Sequence, residues 1–312
     1  MHIPDGFLDA KTAAGAGALA LVGLSLALRQ ARLHLPPRRV PLMGLTAAFV
    51  FAGQMVNFPV AGGTSGHLLG ATLTAVLVGP SAAVVVLAAV LIVQCFLFAD
   101  GGVTALGANL VNLALVAPLG GYGVFRAVRP LAAGRRGTVL AAGFAGWCST
   151  VLAAVACAGH LALSGIVPWS TVFPAMAGIH MLIGLGEGAI TALVVAAISR
   201  SRPELVGGHP EGPARWTDFA TLGLIVATVL ALSLAPFASS WPDGLERVAT
   251  ALGFAGHAVE RPLLDPPLAD YRIPGIVSAP LATVLAGTSG ALLVLGLAWL
   301  LARALVPNRD ER

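Results

Sequence analysis

Charge is scarce in this sequence. Only 10% of its 312 residues are Asp, Glu, Lys or Arg, whereas a soluble domain carries about 25%. The composition, which is 57% hydrophobic, therefore excludes an ordinary soluble domain and predicts an all-α integral membrane protein. Cysteine is also rare: Cys95, Cys148 and Cys157 lie inside apolar runs without C-x-x-C spacing, which excludes a disulfide framework and the usual zinc sites.

Two catalytic motifs are missing as well. A P-loop requires G-x-x-x-x-G-K-[ST], and the one lysine of the chain, Lys11, is not in such a motif. We therefore expect no bound nucleotide, and any ATP hydrolysis must take place on other subunits. The sequence also lacks H-E-x-x-H, the motif of the usual zinc intramembrane proteases.

Nine apolar runs predict membrane helices. They cover residues 12–28, 42–58, 68–79, 81–98, 104–125, 138–163, 172–199, 217–237 and 278–302. Read as one helix, 68–98 would be about 46 Å long, well beyond the ~30 Å apolar core of a bilayer. Gly79-Pro80 interrupts this run, so we predict a short helix, a tight turn and a full span.

The basic residues predict the orientation. With nine passes and an outside N-terminus, 14 of the 18 basic residues fall in inside segments, as the positive-inside rule requires. These 14 are Arg29, Arg32, Arg38, Arg39, Arg126, Arg129, Arg135, Arg136, Arg200, Arg202, Arg215, Arg303, Arg309 and Arg312. We expect a prokaryotic plasma-membrane protein with an extracytoplasmic N-terminus and a cytoplasmic C-terminus. The arginines do not form a nucleic-acid patch, and the first apolar run lacks the preceding positive charge of a signal peptide.

The composition divides the chain near residue 200. Residues 201–215 are polar and rich in Pro and Gly, which is typical of a linker. Residues 1–200 are predicted to form one bundle of about seven helices. Residues 216–312 are predicted to form a two-helix hairpin with an outside loop at 238–277.

The first two residues form a potential metal chelator. We expect Met1 to be the native start with a free amine, since the bulky His2 opposes removal of Met1. The Met1 amine, the deprotonated His2 amide and the His2 Nδ1 can close a five-membered and a six-membered ring around one metal ion. A further in-plane nitrogen would complete a square-planar N4 site, which suits Ni(II) or Cu(II) better than Zn(II) or Mg(II).

His67 is the candidate for that fourth nitrogen. It ends the glycine-rich stretch 61–67 between the second and third predicted spans, on the same membrane face as Met1. Neutral imidazole is a common ligand for such metals. The alternative is a loop histidine at the membrane interface.

Several polar residues fall inside the predicted spans. His180 and Glu187 lie seven residues apart on one face of the seventh span, either as functional groups or as a paired contact between helices. We expect Gln94, Asn109 and Asn112 to bond between helices or to orient the outside site.

Three motifs carry a family resemblance. Met-His-Ile-Pro-Asp-Gly-Phe-Leu at 1–8, Gly-Gly-Thr-Ser-Gly-His-Leu-Leu-Gly at 62–70 and Ala-Leu-Gly-Ala-Asn-Leu-Val-Asn at 105–112 resemble the CbiM/NikM family. These are substrate-specificity components of energy-coupling-factor transporters for cobalt and nickel. Trp-Pro-Asp-Gly-Leu-Glu-Arg-Val-Ala at 241–249 looks like the PDGLE signature of the NikN/CbiN-type accessory subunit.

The resemblance implies a function and a ligand set. It implies that Met1 (amine), His2 (amide and ring) and His67 hold Ni2+ or Co2+ as the transported substrate. It also implies a transmembrane coupling subunit and ATP-binding-cassette ATPase subunits as partners in the lipid bilayer. The outside loop of the accessory module is expected to help the metal enter the site.

Two other functions compete with this interpretation. Gly63-Thr64-Ser65-Gly66 and the similar stretch at 287–290 both read G-x-S-G, as in rhomboid-like serine proteases, with His160 or His180 as a possible base for Ser65. The other possibility is a specificity component for a vitamin, which would not need a histidine at position 2.

Overall fold

A computed structural model of the chain describes residues 1–207, 239–259 and 263–306, and helices dominate it. The helices of the first part of the chain are α1 (Ala10–His34), α2 (Val40–Gln54), α3 (Ala71–Val78), α4 (Pro80–Phe98), α5 (Leu106–Asn109), α6 (Ala117–Val128), α7 (Gly134–Leu163) and α8 (Trp169–Ser201). The short helix α9 (Pro203–Gly207) lies within the predicted linker 201–215. A π-helical stretch, Leu110–Val116, joins α5 to α6. After the linker come α10 (Gly244–Ala251) and α11 (Ala279–Leu305).

The helix lengths and compositions confirm the all-α membrane class. Within the described residues, six helices are long and apolar enough to cross a membrane. They are α1, α4, the continuous helix Leu106–Leu131, α7, α8 and α11. The shorter apolar helix α2 has 15 residues. The predicted span 217–237 lies outside the described residues.

The break predicted within 68–98 is present. Gly79 has a positive φ of 91° and Pro80 opens α4, where its missing N–H costs nothing because the first turn has no internal partner. However, α3 has only eight residues and is about 12 Å long, so it cannot cross the bilayer alone. It is buried along its whole length.

The second predicted span ends earlier than expected, and a β-hairpin follows it. Helix α2 ends at Gln54 rather than near residue 58. Strands β1 (Asn57–Val60) and β2 (Thr64–His67) then pair antiparallel, with Asn57 opposite His67. The positive φ values of Gly62 and Gly63 close the three-residue turn, so the apolar character of 57–60 belongs to a strand and not to helix.

The C-terminal helix packs against the centre of the first bundle. Helix α11 lies on α2 and also contacts α4, and its approach depends on glycines. An added Cβ on Gly44 of α2 would lie 2.9 Å from the Leu295 carbonyl oxygen, and one on Gly290 would lie 2.3 Å from the ring of Phe51. The segment after the linker is therefore part of the same packed core.

Four segments meet at one end of the bundle. They are the N-terminal residues 1–9, the β-hairpin, the loop after α4, and the segment 239–259 that contains α10. Direct contacts join them: Ile3 to Gly102, Ser65 to Pro242, and Asp5 to Val259. The candidate site lies at this end, which we call the hairpin end.

Candidate metal centre

The N-terminal segment is fixed inside the protein rather than frayed. Ile3 is fully buried, its N–H donates to Asn109 Oδ1 at 2.8 Å, and Asn109 Nδ2 donates back to the Ile3 carbonyl at 3.0 Å. Asp5 Oδ1 accepts from both the amide and the hydroxyl of Thr104. Gly102 permits the close approach, since an added Cβ would lie 2.2 Å from the Asp5 nitrogen. These contacts fix the position of residues 1 and 2.

The three residues named from the sequence lie together. The Met1 amine nitrogen is 3.3 Å from His67 Nε2. The rings of His2 and His67 stack, with centroids 5.6 Å apart and planes inclined by 12°. Met1 is only 4% exposed. His67 lines a small cavity together with Met1 and a larger cavity together with His2, so it lies between the amine and the His2 ring.

Side chains alone do not make a metal cluster here. Within residues 1–207, 239–259 and 263–306, no group of three or more His, Cys, Asp or Glu side chains is arranged to hold a metal ion. A metal bound beside His2 and His67 would therefore need main-chain nitrogens to complete its ligands. The Met1 amine and the His2 amide are the nearest such atoms in the sequence.

Two carboxylates contact the candidate ligand nitrogens. Asp243 Oδ2 accepts a hydrogen bond from the Met1 ammonium and forms an ion pair with it. Asp100 Oδ1 lies 2.5 Å from His2 Nδ1, the ring nitrogen predicted to chelate. His2 Nε2 is buried without a hydrogen-bond partner in the described part of the chain. In this state, both the amine and Nδ1 are thus held by carboxylates.

Burial and charge set the protonation of the amine and of His67. Burial alone would lower the pKa of the Met1 amine, but the Asp243 carboxylate more than offsets it, so the pKa is raised above its usual value. Burial, together with the adjacent Met1 ammonium and His2, lowers the pKa of His67 to about 3. His67 is therefore a neutral imidazole near pH 7, with a lone pair available for a cation.

The two carboxylates remain ionised. Burial opposes their ionisation, but His2 holds the pKa of Asp100 far below its usual range, and the Met1 ammonium does the same for Asp243. Tyr271 donates to Asp100 Oδ2 at 2.6 Å and so supports that charge.

The second part of the chain closes the site. The hydroxyl of Ser65 in β2 donates to the Trp241 carbonyl at 2.7 Å, and the Ser65 amide donates to the Pro242 carbonyl at 2.9 Å. Asp243 then caps α10 by accepting from the amide of Glu246, whose side chain accepts from the Asp243 amide. This capping box fixes the carboxylate that contacts Met1.

Three of the polar residues of the predicted spans, Glu187, Asn109 and Gln94, have structural partners. Glu187 accepts from the amides of Leu69 and Gly70 at 2.6 and 3.0 Å, which fixes the backbone just after His67. Asn109 holds the N-terminal segment, as expected of an orienting residue. Gln94 donates to Gln54 and to Tyr271. Asn112 is buried, but its side-chain amide has no partner within the described residues.

The protease alternative finds no support in the contacts. Ser65 is fully buried and its hydroxyl donates to main-chain carbonyls of residues 241 and 242. No hydrogen bond joins Ser65 to His160 or His180 among the described residues. His180 Nδ1 instead contacts the Met176 carbonyl.

Asp100, Asp243 and Tyr271 were missed by the sequence reasoning. Asp243 lies within the PDGLE signature, and Tyr271 is one of only two tyrosines, but neither pattern predicts contact with residues 1 and 2. All three line a cavity of about 640 Å³ that also includes His2 and His67.

Two family models match the chain. Residues 2–205 match CbiM, described as a cobalt uptake substrate-specific transmembrane region. Residues 217–306 match the PDGLE domain.

Curated relatives match over nearly the whole length. A putative fused nickel transport protein NikMN of Archaeoglobus fulgidus is 36% identical over 309 residues, covering 97% of this chain and 98% of the relative. The fused nickel transport protein NikMN of Rhodobacter capsulatus is 33% identical, covering 95% and 96%. The cobalt transport protein CbiM of Geobacter sulfurreducens is 32% identical, covering 80% and 76%.

A solved structure is also similar. A crystal structure of a transition metal transporter is 35% identical to this chain, with a TM-score of 0.59. The match covers 64% of this chain and 93% of that one.

Proposed function

Because the chain belongs to the CbiM family and carries a PDGLE domain, we propose that it captures Ni2+ or Co2+ for an ATP-driven importer of the energy-coupling-factor type. The observation that carries this proposal is that His67 lies beside both the Met1 amine and the His2 ring at the hairpin end. Relatives described as nickel and cobalt transport proteins support the substrate.

The proposed ligands are four nitrogens in a square plane. Met1 contributes its amine, His2 its amide and ring Nδ1, and His67 its Nε2. Planar nitrogen coordination favours Ni(II), and deprotonated ligands bind best, so metal binding releases protons. Asp243 must release the amine and Asp100 must release Nδ1 before both nitrogens can bind the cation.

The proposed organisation follows the composition of the chain. Residues 1–200 form the specificity component, 201–215 a cytoplasmic linker, and 216–312 the accessory module. The N-terminus and the hairpin end face the extracytoplasmic side of a prokaryotic plasma membrane, and the C-terminus is cytoplasmic. A membrane coupling subunit and ATP-binding-cassette ATPases, separate from this chain, provide the energy for release.

The decisive experiment removes the free amine. Protein with its native N-terminus, verified by mass spectrometry, should bind one Ni2+ per chain, measured by metal analysis and by the absorption band of planar Ni–N4. A two-residue N-terminal extension should abolish both signals, and the same extension at the C-terminus is the matched control. Full binding by the N-terminally extended protein would refute the site.

The vitamin alternative requires a different result. A vitamin-specific component would bind no metal, and His2→Ala would not alter its uptake. We expect His2→Ala to abolish planar Ni2+ binding, because it removes a ligand atom and the chelate ring.

A further inference from the structure

His180 is a buried histidine that the proposed N4 site does not use. It lies in α8 and is 1% exposed. Its Nδ1 is 2.8 Å from the carbonyl oxygen of Met176, one turn earlier, so Nδ1 carries the proton and donates it. This leaves a lone pair on Nε2, which is buried and has no hydrogen-bond partner within the described residues.

The imidazole ring of His180 has the tautomer and the orientation that are typical of a metal ligand. Metal-ligating histidines commonly donate their second ring N–H to a backbone carbonyl, which fixes both the tautomer and the ring orientation. Buried polar atoms without a partner are rare in folded proteins and call for an explanation. A bound cation would provide one for His180 Nε2.

The position of His180 connects it to the proposed ligands. A cavity of about 10 Å³ is lined by Met1, His67, Thr150, His180 and Asp243, among others. This volume is close to that of one water-sized sphere, so it suits a single small ligand. The amine and His67 belong to segments outside the spans, whereas His180 lies within a membrane-spanning helix.

Gly244 of the second module covers the free nitrogen. A Cβ added to Gly244 would lie 2.7 Å from His180 Nε2 and 2.6 Å from Cε1. The main chain at the start of α10 can therefore lie against the ring only because residue 244 has no side chain. Movement of this segment would uncover Nε2.

We propose that His180 Nε2 is a further nitrogen ligand, outside the planar set of four, for the transported divalent cation, Ni2+ or Co2+. It takes the cation from the N-terminal site when the segment carrying Gly244 moves away, and so begins the route into the bundle. The inference rests on the proposed function. The polar face of α8 continues seven residues further, about 10 Å, to Glu187, which holds the backbone just after His67.

The experiment compares equilibrium binding with uptake. His180→Gln keeps a polar side chain of similar size, but its amide is a poor ligand for Ni2+. His180→Cys restores a ligand atom. His160→Gln is the matched control, because His160 is also a span histidine with a buried unpartnered nitrogen but does not line either cavity that contains His67. Each variant replaces the chromosomal gene, so the chain works with its own partners.

We expect folded His180→Gln protein to bind one Ni2+ in the planar site within about twofold of wild-type affinity, while cellular uptake of radioactive Ni2+ falls at least tenfold. His180→Cys should recover part of the uptake, and His160→Gln should match wild type. Three outcomes would overturn the transfer role. His180→Gln could retain wild-type uptake, both His180 variants could lose uptake equally, or His180→Gln could lose planar binding. Failure of the wild-type chain itself to bind planar Ni2+ would instead refute the proposed function.

Discussion

The ion pair between Asp243 and the Met1 amine gives a testable prediction about proton competition. Asp243→Asn removes the charge but keeps a good N-cap for α10, because Asn caps helices as well as Asp does. The amine must lose its proton before it can bind a cation. Its pKa is raised in the folded protein, so protons compete with metal at every pH below that raised value. Without the Asp243 carboxylate, burial is opposed mainly by the weaker effect of the Asp100 charge, and the pKa of the amine falls.

The magnitude follows from the strength of the contact. A hydrogen bond to a charged group contributes about 1.5–3 kcal/mol. Asp243 is 21% exposed, and its charge also attracts the incoming cation, so we take the lower end. A net change of about 1.4 kcal/mol corresponds to tenfold tighter Ni2+ binding near pH 7. Because binding releases both the amine proton and the His2 amide proton, the same change lowers the pH at which binding is half complete by about half a unit.

The assay is Ni2+ titration of purified protein against a competing chelator between pH 6 and pH 8.5. Glu246→Gln is the matched control, since Glu246 belongs to the same capping box, whereas the amine of Met1 bonds to Asp243 and His67. It should leave the affinity and the pH profile unchanged. An Asp243→Asn affinity equal to or weaker than wild type, with the same pH profile, would refute this account of the ion pair.

Three further substitutions test the supports of the site. Gly244→Ala should destabilise the packing of α10 by about 1–3 kcal/mol, because the added Cβ would contact His180 and Ile183. Limited proteolysis within 239–259 should then become faster. Gly256→Ala is the control, because a Cβ at residue 256 contacts nothing within 4 Å. Tyr271→Phe leaves the partly buried Asp100 with one donor fewer and should lower the unfolding temperature by roughly 2–8 °C in a thermal melt. Glu187→Gln leaves the amide of Leu69 or of Gly70 unpaired and should weaken Ni2+ binding several-fold in the same titration. Unchanged affinity would show that Glu187 does not position His67.

Much of the fold could be predicted from the sequence, because a helix in lipid must satisfy its own backbone hydrogen bonds. Each long apolar run then predicts a helix of matching length, and Gly79-Pro80 marks the break between α3 and α4. The β-hairpin was not predicted. Residues 57–60 continue the apolar run of α2, and only pairing with 64–67, which lies across a glycine turn, makes them a strand.

The sequence also named Met1, His2 and His67 as candidates, because an amine followed by histidine is a chelator wherever it occurs, and the family motifs add the loop histidine. Local patterns could not name Asp100, Asp243 or Tyr271. Asp243 is 242 positions from the amine that it contacts, and Tyr271 is 171 positions from Asp100. Composition determined the membrane helices and the chelating atoms, since both depend on residues close together in the chain. Only the tertiary structure decided which carboxylates hold those atoms, because the loop after α4 brings Asp100 to His2 and the packing of the second module brings Asp243 to the amine.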